Sequence, residues 1–170
     1  SYANLLIADQ DAVRTITVNR PDKLNALNHA TIGELHQAFS EARQDSGVRV
    51  VVLTGAGAKA FVAGADITEF ASATPVQARD FSEAGQRMMR AVETLGKPVI
   101  ARVNGFALGG GMELAIMCDF LFADKGARCG QPEIVLGVFA PPASIILPEK
   151  IGLARATDLL LTNVAPDRVD

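Results

Sequence analysis

Two glutamates and two small-residue turns carry the chemistry in this chain. Residues 104–119 read NGFALGGGMELAIMCD, so Gly109, Gly110 and Gly111 open an apolar helical segment that contains Glu113. A buried carboxylate is costly unless something compensates it. The first N–H groups of a helix have no partner within it and carry the positive end of the helix dipole. A glycine-lined helix start therefore exposes amides that can hold a negative oxygen. A second small-residue turn, AFVAGADITEF (60–70), follows the strand-like run VRVVVLTG (48–55) and offers further amides around Gly64 and Ala65. Two such turns can supply two N–H donors to one oxygen. That arrangement is an oxyanion hole, in which one donor is worth about 2.7–4 kcal/mol in the transition state. In CGQPEIVLG (129–137), Glu133 follows a proline and precedes an apolar run. Held close together and poorly solvated, Glu113 and Glu133 would repel each other, which raises the pKa of at least one and suits the pair to acid–base work. Two unrelated glutamates, one salt-bridged and one exposed, fit the spacing equally well.

These residues need elements to position them. AVRTITVN (12–19) alternates like a strand and forms a plausible hairpin with NLLIAD before it. Ile32, Leu35, Phe39 and Ala42 recur at helical spacing after the turn-rich NRPDKLNALN. VRVVVLTG is β-branched throughout, as in a strand buried on both faces. Thr74, Pro75 and Gln77 form a capping box at the start of a helix running through Phe81, Ala84, Met88, Val92 and Leu95 to a stop at Gly96. KPVIARVN (97–104) and DFLFAD (119–124) are further strands. The alternation predicts an α/β domain with parallel pairing, in one unit over 1–170.

Composition excludes several classes. A chain of 170 residues with 49 % hydrophobic and 21 % charged residues can bury a core and is not disordered. Its net charge of −3 offers no general attraction for nucleic acid or anionic membrane. No apolar run has the length of a membrane span, and the first residues lack a signal-peptide pattern, so a cytoplasmic protein is expected. Cys118 and Cys129 show no metal spacing and read as small buried hydrophobes. His29 and His36 read as surface residues, and no metal site is expected. Gly55, Gly57 and Ala60 fit G-x-G-x-x-A, but FVAGADITEF makes a poor first helix for a dinucleotide fold.

NRPDKLNALN, VVLTGAGAKAFVAGADI, KPVIARVNGFALGGGMELAIMCD and GQPEIVLG, in this order over nearly the whole chain, resemble the crotonase superfamily and most closely its enoyl-CoA hydratases. The resemblance implies a spiral of ββα units with roughly perpendicular sheets, truncated here before the C-terminal helical region. It implies homotrimers or hexamers. It assigns the oxyanion-hole amides to Ala65 and Gly110, and catalysis to Glu113 and Glu133. It places the adenine of coenzyme A beside Lys23, Leu24, Asn25, Ala26 and Leu27 and beside Ala63, with Asp66 and Ile67 in the same substrate-binding stretch. The implied reaction is reversible syn hydration of a 2-enoyl-CoA to a 3-hydroxyacyl-CoA, as in fatty-acid β-oxidation. It needs no cofactor, because coenzyme A is part of the substrate. Glu133 would chiefly protonate Cα and Glu113 chiefly activate water. Isomerisation would usually need one active carboxylate rather than two.

The chain departs from that pattern after Glu133. In GVFAPPASIILPEK (137–150) the family's paired glycines become Ala143 and Ser144, and a glycine whose N–H helps place the water becomes Pro141, which has none. VFAPPAS resembles cyclic dienoyl-CoA hydratases. Thr68 stands where many relatives carry lysine, leaving Lys23, Arg20 and Lys59 as expected phosphate partners. The chain stops at TNVAPDRVD, where relatives continue into helices that close the acyl pocket. A non-catalytic acyl-CoA-binding or assembly fragment is the alternative of another class.

Overall fold

A computed structural model describes residues 1–69 and 73–162; Phe70 of AFVAGADITEF and everything after Thr162 in TNVAPDRVD lie outside them. The elements run ββα four times. β1 (Leu5–Gln10) and β2 (Val13–Val18) precede α1 (His29–Gln44). β3 (Val50–Gly55) and β4 (Ala60–Val62) precede α2 (Pro75–Glu93). β5 (Val99–Val103) and β6 (Phe106–Leu108) precede α3 (Gly110–Met117). β7 (Phe120–Ala123) and β8 (Arg128–Gly130) precede α4 (Pro141–Ile151), and α5 (Leu153–Thr162) follows.

The strands divide between two sheets. A five-stranded sheet has the order β1-β2-β3-β5-β7, antiparallel at the β1–β2 hairpin and parallel elsewhere. A three-stranded sheet has the order β4-β6-β8 and is wholly parallel. In the last three units the first strand joins the large sheet and the second joins the small one. This is the spiral of ββα units that the motifs imply. β4, β6 and β8 correct the simpler β-α alternation read from periodicity: at three residues each they are too short to show a period.

Local chemistry sets the boundaries. Asn28 caps α1 by accepting from Thr31 N–H at 2.9 Å. Thr74 and Gln77 complete the capping box of α2, with Pro75 at its first turn. That helix ends at Glu93, so Leu95 packs from the loop beyond it, before Gly96 at φ +78°. Ile16, Val18, Val51 and Leu53 from the large sheet pack against Leu35 and Phe39 of α1 and Met88 and Val92 of α2. Full burial of a side chain this size contributes about 1.5–3 kcal/mol.

α3 lies between two apolar clusters. Leu114 and Ala115 join the main core, while Met112 and Ile116 pack with Ala143 and Leu147 of α4 and Ala156 and Leu159 of α5. A helix apolar on all sides is a buried helix. β7 is different: Phe120, Leu121 and Phe122 are exposed, and among the described residues the strand pairs only with β5. No helix among the described residues is long and apolar enough to cross a membrane.

Candidate active site

The small sheet assembles the site. Because β4, β6 and β8 are parallel neighbours, their carboxyl ends lie on one edge. From that edge emerge the Ala63–Asp66 turn, the Gly109–Gly111 turn and the Gln131–Glu133 segment. Ligand sites of parallel α/β sheets favour such edges.

The glycines have separate reasons. Gly109 caps α3 at φ +50°, and a Cβ there would stand 2.6 Å from Glu133 Oε1. A Cβ on Gly111 would stand 1.9 Å from the Val62 carbonyl oxygen, so α3 touches the β4 backbone. A Cβ on Gly110 would meet no atom within 4 Å. Gly110 is the first residue of α3, so its N–H has no partner within the helix. Across the turn, a Cβ on Gly64 would lie 3.2 Å from the Leu108 carbonyl oxygen. The two amide-bearing turns are thus packed against each other.

Ala65 is held in a parallel bridge with Leu27. Leu27 N–H donates to Gly64 O at 2.8 Å, and Asp66 N–H donates to Leu27 O at 2.8 Å. Those bonds use the residues flanking Ala65, so its own N–H faces away from Leu27. It donates to no acceptor among the described residues.

Glu113 sits on α3 at 7 % exposure. Its Oε1 accepts from Ala143 N–H at 3.1 Å. Pro141 and Pro142 remove the first two donors of α4, so Ala143 supplies that helix's first N–H. Burial pushes the Glu113 carboxyl from 4.5 up to about 7; the Ala143 N–H pulls the other way, and the charge of Glu133 adds to the rise. Glu133, half-buried in a 3-10 turn (Pro132–Leu136), is also raised by burial, and its Oε2 is buried without a partner. The two carboxylates therefore lie within electrostatic reach of each other. Sequence reasoning missed Ala143 as the partner of Glu113; the Pro-Pro pair before it was the available signal.

Gln131, 1 % exposed, has neither amide atom hydrogen-bonded. Gln131 and Glu133 line a pocket of about 290 Å³ that also takes in Val138, Phe139, Ser144 and Leu160. Buried unpaired polar side-chain atoms are rare in folded proteins. Among the described residues, these belong to Gln131 and Glu133 alone.

The residues expected along coenzyme A differ in exposure and partners. Lys23, Leu24 and Ile67 are exposed, and Ala26, Ala63 and Asp66 are half-buried. Asn25 and Leu27 turn inward: Leu27 joins the core, and the Asn25 amide bonds only backbone. Arg20 is not a free phosphate partner, because its guanidinium pairs with Asp66 at 2.9 Å. Thr68 and then Arg20 hold the Asp66 carboxyl below its usual value. Lys59 and Lys23 remain exposed. Gly55–Ala60 leads into β4 rather than a helix, which removes the dinucleotide-fold reading. His29 and His36 are exposed; Cys118 is buried, its thiol pushed up to about 12, and Cys129 is half-buried.

A sequence model of the family described as enoyl-CoA hydratase/isomerase matches residues 8–165. A crotonyl-CoA hydratase of Syntrophomonas wolfei is 41 % identical over 163 residues, covering 95 % of this chain and 63 % of that protein. A short-chain-enoyl-CoA hydratase of Clostridium acetobutylicum is 48 % identical over 135 residues, covering 79 % of this chain and 52 % of that protein. The crystal structure of an enoyl-CoA hydratase from Bacillus anthracis superposes with a TM-score of 0.91 at 38 % identity, covering 94 % of this chain and 63 % of that one. This chain thus spans less than two thirds of the length of these relatives.

Proposed function

Since the chain belongs to the enoyl-CoA hydratase/isomerase family, we propose that it carries the reacting groups for reversible hydration of a 2-enoyl-CoA to a 3-hydroxyacyl-CoA. The thioester oxygen sits between the N–H groups of Ala65 and Gly110. As water adds at Cβ, charge moves onto that oxygen as an enolate, and the two amides stabilise it. Glu113 takes the proton of the attacking water, and its raised pKa makes it a stronger base once ionised. Glu133 gives its proton to Cα, and a proton returns from Glu113 to Glu133 before the next turnover. Coenzyme A lies along the Lys23–Leu27 turn and Ala63, and the acyl tail faces the pocket beside Phe139 and Ser144. The protein acts in the cytoplasm, with no nucleic-acid or membrane partner, as a homo-oligomer of the family type.

One observation carries this reading. Two carboxyls with raised affinity for protons lie at the same sheet edge as two amides for which no acceptor is found among the described residues. Mixing the protein with crotonyl-CoA and following loss of the conjugated-thioester absorbance tests it. No turnover with retained coenzyme A binding would leave a binding or assembly fragment instead.

A second reading rests on Pro141 and Pro142. They leave α4 without its first two N–H donors, which favours a differently held water and a cyclic dienoyl-CoA substrate. Competition between crotonyl-CoA and a cyclohexadiene-carbonyl-CoA distinguishes the two.

A further inference from the structure

Two turns that would meet opposite ends of the substrate are fastened into one body. In the Arg20–Leu27 turn, Leu24 and Asn25 adopt φ of +51° and +57° without being glycine. Such backbone persists only where its surroundings over-determine it. Asn25, fully buried, does this: its Oδ1 accepts from Arg20 N–H at 2.9 Å, and its Nδ2 donates to Ala56 O at 3.0 Å and Ala60 O at 2.8 Å. The turn is then zipped to the Ala63–Asp66 turn. Ala63 N–H donates to Leu24 O at 3.1 Å, and the Leu27 bonds bracket Ala65 on both sides.

One ion pair spans this joint. Arg20 Nη2 donates to Asp66 Oδ2 at 2.9 Å, and Nη1 donates to Ala26 O at 2.5 Å. The two side chains are 14 % and 11 % exposed. The other Asp66 oxygen accepts from the Thr68 hydroxyl at 2.6 Å. Both oxygens of Asp66 are therefore occupied, one by Arg20 and one by Thr68 just downstream; the peptide before Asp66 is bonded to Leu27, and the peptide before that one presents Ala65 N–H.

We infer that Arg20 and Asp66 are a positioning pair, fixing the direction of Ala65 N–H relative to the turn that holds the nucleotide. Binding at the nucleotide end then aligns the thioester carbonyl some distance away. Contacts remote from the reacting atoms raise turnover when they are used to orient them. This inference rests on the enoyl-CoA reading above and adds to it the residues that couple its two ends.

The test uses cinnamoyl-CoA, a conjugated thioester whose absorbance moves to longer wavelength when hydrogen bonds polarise its carbonyl. The shift on binding, kcat, KM and the affinity for free coenzyme A are measured for the wild type, Arg20→Met, Asp66→Asn and Arg20→Lys. Arg20→Met and Asp66→Asn are expected to lose at least half of the shift and to lower kcat about tenfold or more. Their affinity for free coenzyme A is expected to change less than about threefold, because the nucleotide turn keeps its Asn25 bonds. Arg20→Lys, which keeps the charge but not the forked contact, is expected to fall between. Should Arg20→Met fail to fold, Asp66→Asn, which keeps the size of the side chain but has a single oxygen for either Arg20 or Thr68, gives the same readout. Shift and kcat unchanged in both variants overturn the inference, as does a kcat loss that tracks loss of coenzyme A binding. A wild type showing neither shift nor turnover overturns the functional reading, and the inference falls with it.

Discussion

Ala143 N–H donates to Glu113 Oε1 at 3.1 Å, joining the first free amide of α4 to a carboxylate thirty residues earlier. The bond favours the charged form of Glu113, yet burial outweighs it and the carboxyl stays near 7. The residue is thereby kept close to the point where it can gain or lose a proton at neutral pH.

That position has a cost to the fold. A carboxyl raised from 4.5 to about 7 binds its proton more tightly folded than unfolded. Its contribution to stability is whole below pH 4.5 and is lost as pH rises through about 7. At pH 8 the buried charge costs about 3 kcal/mol relative to a neutral side chain. Glu113→Gln is therefore expected to be more stable than the wild type at pH 8 and nearly equal at pH 4. Urea unfolding at both values checks this, and parallel stability across the range would refute it.

Turnover should respond in the opposite direction. Glu113→Gln and Glu133→Gln are each expected to lower kcat for crotonyl-CoA by about 10²–10⁴-fold, the usual range for a positioned acid or base. Binding of a saturated acyl-CoA should persist within a few-fold, as read by calorimetry. Near-normal turnover in either variant would remove that residue from the mechanism.

The glycine run should separate stability from activity. Gly111→Ala drives a methyl group into the Val62 carbonyl and is expected to destabilise the fold by about 1–3 kcal/mol or more. Gly110→Ala meets open space, so stability should hold or rise by up to about 1 kcal/mol. Its methyl group occupies room beside the amide proposed for the thioester oxygen, and kcat/KM should fall by at least about tenfold. Thermal melts paired with initial rates read both. Full activity in Gly110→Ala would remove Gly110 from the oxyanion hole.

Gln131 gives a further check. Its amide is buried without a partner, so Gln131→Met should raise stability by about 1–3 kcal/mol in chemical unfolding. A loss of stability would show that the amide is satisfied in solution.

Much of this was legible in the sequence because it is local. The Thr74–Gln77 capping box lies within four residues, and α1 shows its buried stripe from Ile32 to Ala42. The hairpin and the strands of the large sheet show in runs such as VRTITV and VVVLTG. The small sheet was not legible, because its three-residue strands are specified by partners far along the chain. For the same reason Arg20 read as a free cation although Asp66, forty-six residues on, had claimed it. The motifs pointed to Ala65, Gly110, Glu113 and Glu133 through resemblance, but the bond from Ala143 to Glu113 came only from the packing of α4 on α3.

Three segments that would meet the thioester hang from the ends of β4, β6 and β8, and the large sheet supplies none of them. Change at the exposed Val138 and Phe139 can therefore retune selectivity while buried Ala140 and Ala143 keep α4 seated on α3. A randomised library there should yield more folded members than one spread over Val51 and Leu53, which makes this loop the natural starting point for redirecting the chemistry.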